Sequence, residues 1–313
     1  MSVARHAGAT RMDEGRAIAA RRSSWWQRSR ETRVGLAFVL PVACFFLVFR
    51  LGPALASFVL SLYKYRLRGN SRYLGFANYE RLAHDQLFWH SLRVTGTFTL
   101  IAVPVITILS LAIALLINQT LRGMGFFRAL YFLPYITSLV MVGLIWKWIY
   151  KTDGGLLNSI ITAFGGTPKG WLEGQSLVLV SLALMTTWKG LGYSMMIFLA
   201  GLRAIPAVYQ EAAQIDGATA WQRFVRITLP LLKPVIFFVL VIETISSFQV
   251  FDAIYVMTGG GPVRASYALV FMLYDQGFKF FDFGYASTIG VVLFVIILCI
   301  ALVQRRIIGR SEQ

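Results

Sequence analysis

Polar and ionisable residues embedded in apolar runs are the positions of this chain where chemistry is possible. Residues 234–257 are largely apolar, yet carry Glu243, Thr244, Ser246, Ser247, Gln249 and Asp252, with Tyr255 just beyond. Residues 176–200 carry Lys189 between Trp188 and Gly190, with Tyr193 following. In an apolar segment long enough to cross a membrane, such groups are costly unless they face a cavity or the interior of a helix bundle. Carboxylates, hydroxyls, an amide and aromatic faces would suit a solute rich in hydroxyl groups. The same groups also serve as hydrogen-bonding links between helices. Linkage explains Ser246 and Ser247 well, whereas Gln249 and Asp252 suit either role. At about 100° per residue, Glu243 to Ser247 share one broad arc, and Gln249 and Asp252 fall on roughly the opposite side. Lys189 demands water or a counter-charge, which Glu243 or Asp252 could provide, and it suits a buried pair holding helices in register as well as a substrate contact.

A second constellation is polar and lies between apolar runs. It reads Glu211-Ala212-Ala213, two residues, Asp216-Gly217-Ala218, and closes at Leu229-Pro230. The alanines favour helix and keep the backbone low enough to enter a groove, and Gly217 is placed to end the helix. Glu211 and Asp216 offer charge to a partner. Nothing here resembles an active site: there is no histidine cluster with metal spacing and no serine–histidine or paired-carboxylate signature. No Gly-Lys dipeptide occurs, so the phosphate-binding loop of nucleotide hydrolases is absent and any ATP is bound by another chain.

The elements that must position these groups follow from composition. Of 313 residues 57% are hydrophobic and 14% charged, which implies an all-α membrane protein. Six stretches reach the roughly 20 apolar residues that a span requires: 34–62, 94–117, 129–150, 176–200, 234–257 and 285–303. Pro41, Pro53, Pro104 and Pro134 are candidate bend sites. The first stretch follows a basic segment but is too long for a cleaved signal peptide, and reads as an anchored helix. Residues 1–33 form an arginine-rich tail with Trp25 and Trp26 at its interfacial end, 34–303 the membrane domain with a loop at 201–233, and 304–313 a second tail. With the amino terminus inside, the inner segments carry seventeen Lys and Arg and the outer ones nine. The positive-inside rule then places both termini and the Glu211 loop in the cytoplasm and accounts for much of the net charge of +16 without nucleic acid. Lys64, Arg66, Arg68, Arg72 and Arg81 make the first outer loop an exception to that rule. Cys44 and Cys299 lie in apolar runs and read as small hydrophobes rather than a disulfide. Gly259-Gly260-Gly261-Pro262 marks a shaped outer turn, fit either for a gate or docking surface or for a plain hairpin.

The Glu211 segment resembles the EAA loop of binding-protein-dependent ABC importers. Gly75-Phe76-Ala77-Asn78-Tyr79, Phe127-Arg128, Leu133-Pro134, Trp146-Lys147-Trp148 and Phe251-Asp252 are similar to further motifs of carbohydrate-importer permeases, of the maltose and glycerol-phosphate branch. Actinobacterial permeases of amino-sugar and glycerol-phosphate importers look most alike. The resemblance implies a six-helix type I importer (MetI-like) permease fold in the bacterial plasma membrane. It implies a second permease, two ATPase subunits that hold ATP and Mg, and an extracytoplasmic solute-binding protein. Glu211, Ala212, Ala213, Asp216, Gly217, Ala218, Leu229 and Pro230 would then couple to the ATPase. The path candidates are Lys189, Trp188, Tyr193, Glu243, Ser247, Gln249, Asp252 and Tyr255. A self-contained secondary transporter is the rival, and would need no ATPase.

Overall fold

The computed structural model describes residues 32–65, 71–119 and 123–308. The tail with Trp25 and Trp26, and Arg66 and Arg68 of the outer loop, lie outside the described residues. Residues up to Val59 belong to one compact unit and those from Leu60 onward to a second. The first unit contributes most of α1 (Thr32–Leu60), a single apolar helix long enough to span. It runs helically through Pro41 and takes a π-turn at Leu47–Leu51, closed by the Gly52 N–H on the Leu47 carbonyl, immediately before Pro53.

In the second unit a two-residue hairpin, β1 (Tyr63–Lys64) against β2 (Arg72–Tyr73), precedes α2 (Ala77–His84) and α3 (Gln86–Ile117). Asp85 caps α3, its side chain accepting from the Leu87 N–H. Then come α4 (Met124–Ile136), α5 (Leu139–Ile149), α6 (Leu156–Ala163) and α7 (Val178–Ala204). The loop helices α8 (Ala207–Ile215) and α9 (Ala220–Leu231) lead to α10 (Lys233–Phe248) and the short α11 (Asp252–Met257). The chain ends with α12 (Leu269–Tyr274), continued as a π-turn, and α13 (Phe283–Ile308).

Helices α1, α3 and α13 are each long and apolar enough to cross a membrane. Three further pairs pass together but are bent: α4 with α5 by 96°, α7 with α8 by 64°, and α9 with α10 by 65°. Counting one span per pair gives the six read from the sequence. Two of the six stretches are broken within their length. The fifth stretch does not run to residue 257 as one helix, because α10 stops at Phe248 and α11 restarts at Asp252. The third breaks at Thr137–Ser138, three residues after Pro134, whereas α3 continues unbroken through Pro104.

The core is formed where α3 packs on α7 and α10, with α4 also laid on α7. One cluster centres on Phe98, Leu182, Met185, Ile254 and Met272, a second on Ala114, Met195, Phe198 and Leu232. Large apolar side chains elsewhere on the same helices, such as Leu100 and Ile108 of α3, are exposed, as lipid-facing positions should be. Both cysteines are free and exposed.

Backbone polar groups reach the helix interfaces through small residues. A Cβ on Gly192 would lie 2.1 Å from the Tyr131 carbonyl oxygen, so α4 crosses α7 where only glycine fits. Gly192→Ala should therefore force the two helices apart and destabilise the chain by about 1–3 kcal/mol. Gly96→Ala, where nothing lies within 4 Å, should be neutral or slightly stabilising. Thermal melts of both variants in the same detergent check the pair.

Candidate functional site

The break in the third span leaves the last carbonyls of α4 without helical partners. Thr137 Oγ1 donates to the Pro134 carbonyl at 2.6 Å, and Lys189 Nζ donates to the Tyr135 carbonyl at 2.9 Å. The ammonium also lies 5.5 Å from the centre of the Tyr135 ring, which is itself stacked on Tyr193 with centroids 4.8 Å apart. Lys189 thus answers the negative end of a broken helix rather than a carboxylate. Among the described residues the ion pairs are Arg81–Asp282 and Lys279–Asp275, so Glu243 and Asp252 are not its counter-charge. Glu243 instead accepts a short hydrogen bond from Ser194, tying α10 to α7. Gln304 of α13 donates to Thr244, at 2.9 Å, on the same helix.

The second break, at Gln249–Phe251, reorganises the fifth span. A continuous helix would have sent Gln249 and Asp252 away from Glu243. With the helix ended at Phe248, the chain turns, and all of them line one cavity of about 430 Å³. Glu243, Ser246, Ser247, Gln249 and Asp252 line it from this segment, and Lys189, Gly190 and Tyr193 from α7. Tyr135, Phe98 and Phe251 add aromatic surface. Irregular backbone at membrane depth is tolerated where it is buried in protein or lines a cavity, and this break meets that condition.

Two path candidates lie elsewhere. Trp188 is not in the lining; one residue before Lys189, it is turned by about 100° and packs on Trp146 with centroids 5.6 Å apart. Tyr255 is also outside the lining, carried by α11 into an aromatic group with Phe251 and Tyr274. The structure adds Tyr135 and Thr187, which sequence reading did not single out. Pro134 signalled a bend, and only the bend's direction shows that Tyr135 faces the cavity. Thr187 is 4% exposed, lines the cavity, and its hydroxyl oxygen has no hydrogen-bond partner.

The polar loop is built as the sequence required. Glu211, Ala212 and Ala213 lie on α8, with Glu211 and Ala212 exposed. Asp216 follows the helix and Gly217 takes φ +76°, the left-handed conformation of a helix stop. The Ala218 N–H bonds the Ala213 carbonyl and the Gly217 N–H that of Gln214, which closes the helix end. Thr219 then starts α9 through a reciprocal capping box with Gln222. Leu229 and Pro230 sit in the last turn of α9, and Gln210 donates to Thr228 at 3.0 Å, tying α8 to α9.

Gly259 and Gly260 take positive φ and open a turn held by a Thr258–Ser266 hydroxyl contact of 2.8 Å. Tyr267 donates to Asp275 at 2.8 Å, and burial with the adjacent carboxylate holds its phenol protonated. Arg81, from the basic outer loop, reaches Asp282 at 2.9 Å and lies 3.8 Å over the Tyr285 ring, so this cation is used in packing α2 on α13.

Residues 93–312 match the family described as binding-protein-dependent transport system inner membrane component. The chain belongs to that family. It is a multi-pass membrane transport subunit that works with a solute-binding protein, and it is not an enzyme. Its curated relatives include the trehalose/maltose transport system permease of Thermococcus litoralis, 35% identical over 288 residues, covering 91% of this chain and 96% of that protein. The lactose transport system permease of Rhizobium radiobacter is 36% identical, over 86% and 92% of the two chains. The sn-glycerol-3-phosphate transport system permease of Agrobacterium fabrum is 34% identical, over 77% and 82%. A solved bacterial ABC transporter for import of the acidic polysaccharide alginate has the same fold, with a TM-score of 0.79 at 22% identity over 92% of this chain and 99% of that one. The Glu-Ala-Ala loop is typical of the family.

Lys189→Met should leave the Tyr135 carbonyl unsatisfied and cost about 1–3 kcal/mol, while Lys189→Arg should retain most of the stability. Unfolding midpoints of the purified variants measure this difference.

Proposed function

We propose that this permease carries a sugar or sugar derivative across the bacterial plasma membrane, pairing with a second, similar permease around one path. The cavity supports this reading. It places hydroxyl, amide and carboxylate groups beside the stacked Tyr135–Tyr193 pair. Aromatic faces suit the C–H faces of a sugar ring, and the polar groups suit its hydroxyls. The relatives named for transport of trehalose, maltose and lactose point the same way.

Energy enters through the loop at 201–233. Glu211 and Asp216 meet an ATPase subunit, Ala212 and Ala213 pack into its groove, and Gly217 with Ala218 sets the turn. Leu229 and Pro230 carry that contact onward to α10. Two such ATPases bind ATP and Mg, and this chain binds neither. Both termini, 1–33 and 304–313, are cytoplasmic, in keeping with the seventeen-to-nine excess of inner Lys and Arg. When ATP closes the ATPases, α8 and α9 follow and the path opens toward the binding protein. A second reading, a glycerol-3-phosphate or glycerophosphodiester importer, is favoured by the Agrobacterium relative alone.

Two substitutions test the coupling. Glu211→Ala removes the charge of the contact. Gly217→Pro cannot hold φ +76° and removes an N–H that closes α8. Each should lower sugar uptake by about tenfold or more, the equivalent of about 1.4 kcal/mol of coupling, with membrane insertion unchanged. Uptake assays at matched expression decide it, and normal uptake by both variants excludes this role for the loop.

A further inference from the structure

Resting on the sugar-path reading, we infer that the cavity selects by charge: it passes neutral and amino sugars and excludes sugar phosphates and uronic acids, with Asp252 reading the charge. Its lining holds two carboxyl groups, Glu243 and Asp252, one ammonium, Lys189, and no guanidinium. The ammonium is already engaged by the Tyr135 carbonyl at 2.9 Å and by the Tyr135 ring. Recognition of a phosphate or carboxylate inside a membrane calls for planar, bidentate donors or several free cations. One committed lysine beside two carboxyl groups offers neither, and the exposed Asp252 carboxylate repels an anionic solute.

The same arrangement favours donors on the solute. Glu243 spends one oxygen on Ser194, and Asp252 is exposed to the cavity and joins none of the ion pairs among the described residues. Ser246 and Gln249 complete a surface that accepts from hydroxyl and ammonium groups without supplying positive charge. Asp252 stands where the fifth span restarts, so its position follows from the break at Gln249–Phe251.

The test uses the complete transporter, this chain with its own second permease, ATPases and solute-binding protein, reconstituted into vesicles with ATP on the ATPase side. An equimolar mixture of neutral sugars, amino sugars, sugar phosphates and uronic acids is offered, and the vesicle contents are read by mass spectrometry. Entry of neutral or amino sugars alone is expected. Entry of a sugar phosphate or uronic acid overturns the charge selection while leaving the sugar path standing, and entry of no sugar at all overturns the sugar path itself. With the solute that enters, Asp252→Lys should slow transport by about tenfold. Asp252→Asn should stay within about threefold for a neutral sugar and fall about tenfold for an amino sugar. If Asp252→Lys transports normally, or if Asn and Lys slow a neutral sugar equally, Asp252 is architectural and the assignment fails.

Discussion

The structure turns on the need to satisfy every backbone polar group within the hydrocarbon layer. An unbroken helix does this alone, and α1, α3 and α13 are of that kind. A broken one does not, and at each break the chain must supply donors from somewhere else. Lys189 on the Tyr135 carbonyl is the clearest case, with Thr137 on Pro134 beside it. Remove these donors and the sharp turn between α4 and α5 has no electrostatic support.

That requirement also explains why the cavity is where it is. The two breaks lie beside one cavity, with Tyr135 and Leu139, which flank the first, and Gln249, Val250 and Phe251 of the second in its lining. α7 runs between them as an unbroken post, contributing Lys189 and Tyr193 on one side and Ser194 to Glu243 on another. Gly192 allows the backbone of α4 to sit against it. The same helix bends by 64° into α8, and α9 bends by 65° into α10. The polar loop is therefore continuous in chain with the two helices that carry Lys189 and Glu243.

Much of this was legible from residue types alone. The polar loop came through intact, because Glu211 to Thr219 is governed by local rules: alanine propensity, a glycine able to take positive φ, and a capping residue. The spans came through as well, since length and hydropathy suffice to place them. Position around the fifth span did not. The rule of 100° per residue assumes one helix, and it separated Gln249 and Asp252 from Glu243, whereas the turn after Phe248 reunites them. No proline marks that break, so no local signal announced it. The counter-charge of Lys189 was misread for a related reason: a sequence displays carboxylates, but never which carbonyls a bend will orphan.

The sequence by itself thus determined what is local or additive: membrane residence, the stretches long enough to span, and the form of the Glu211 loop. Tertiary structure alone decided what those spans enclose. Whether Asp252 and Glu243 share a cavity, whether Trp188 and Tyr255 leave it, and what Lys189 holds all depend on where helices break and cross. Those points are fixed by contacts between residues as distant as Tyr135 and Lys189, and a periodic pattern along one segment contains no information about them.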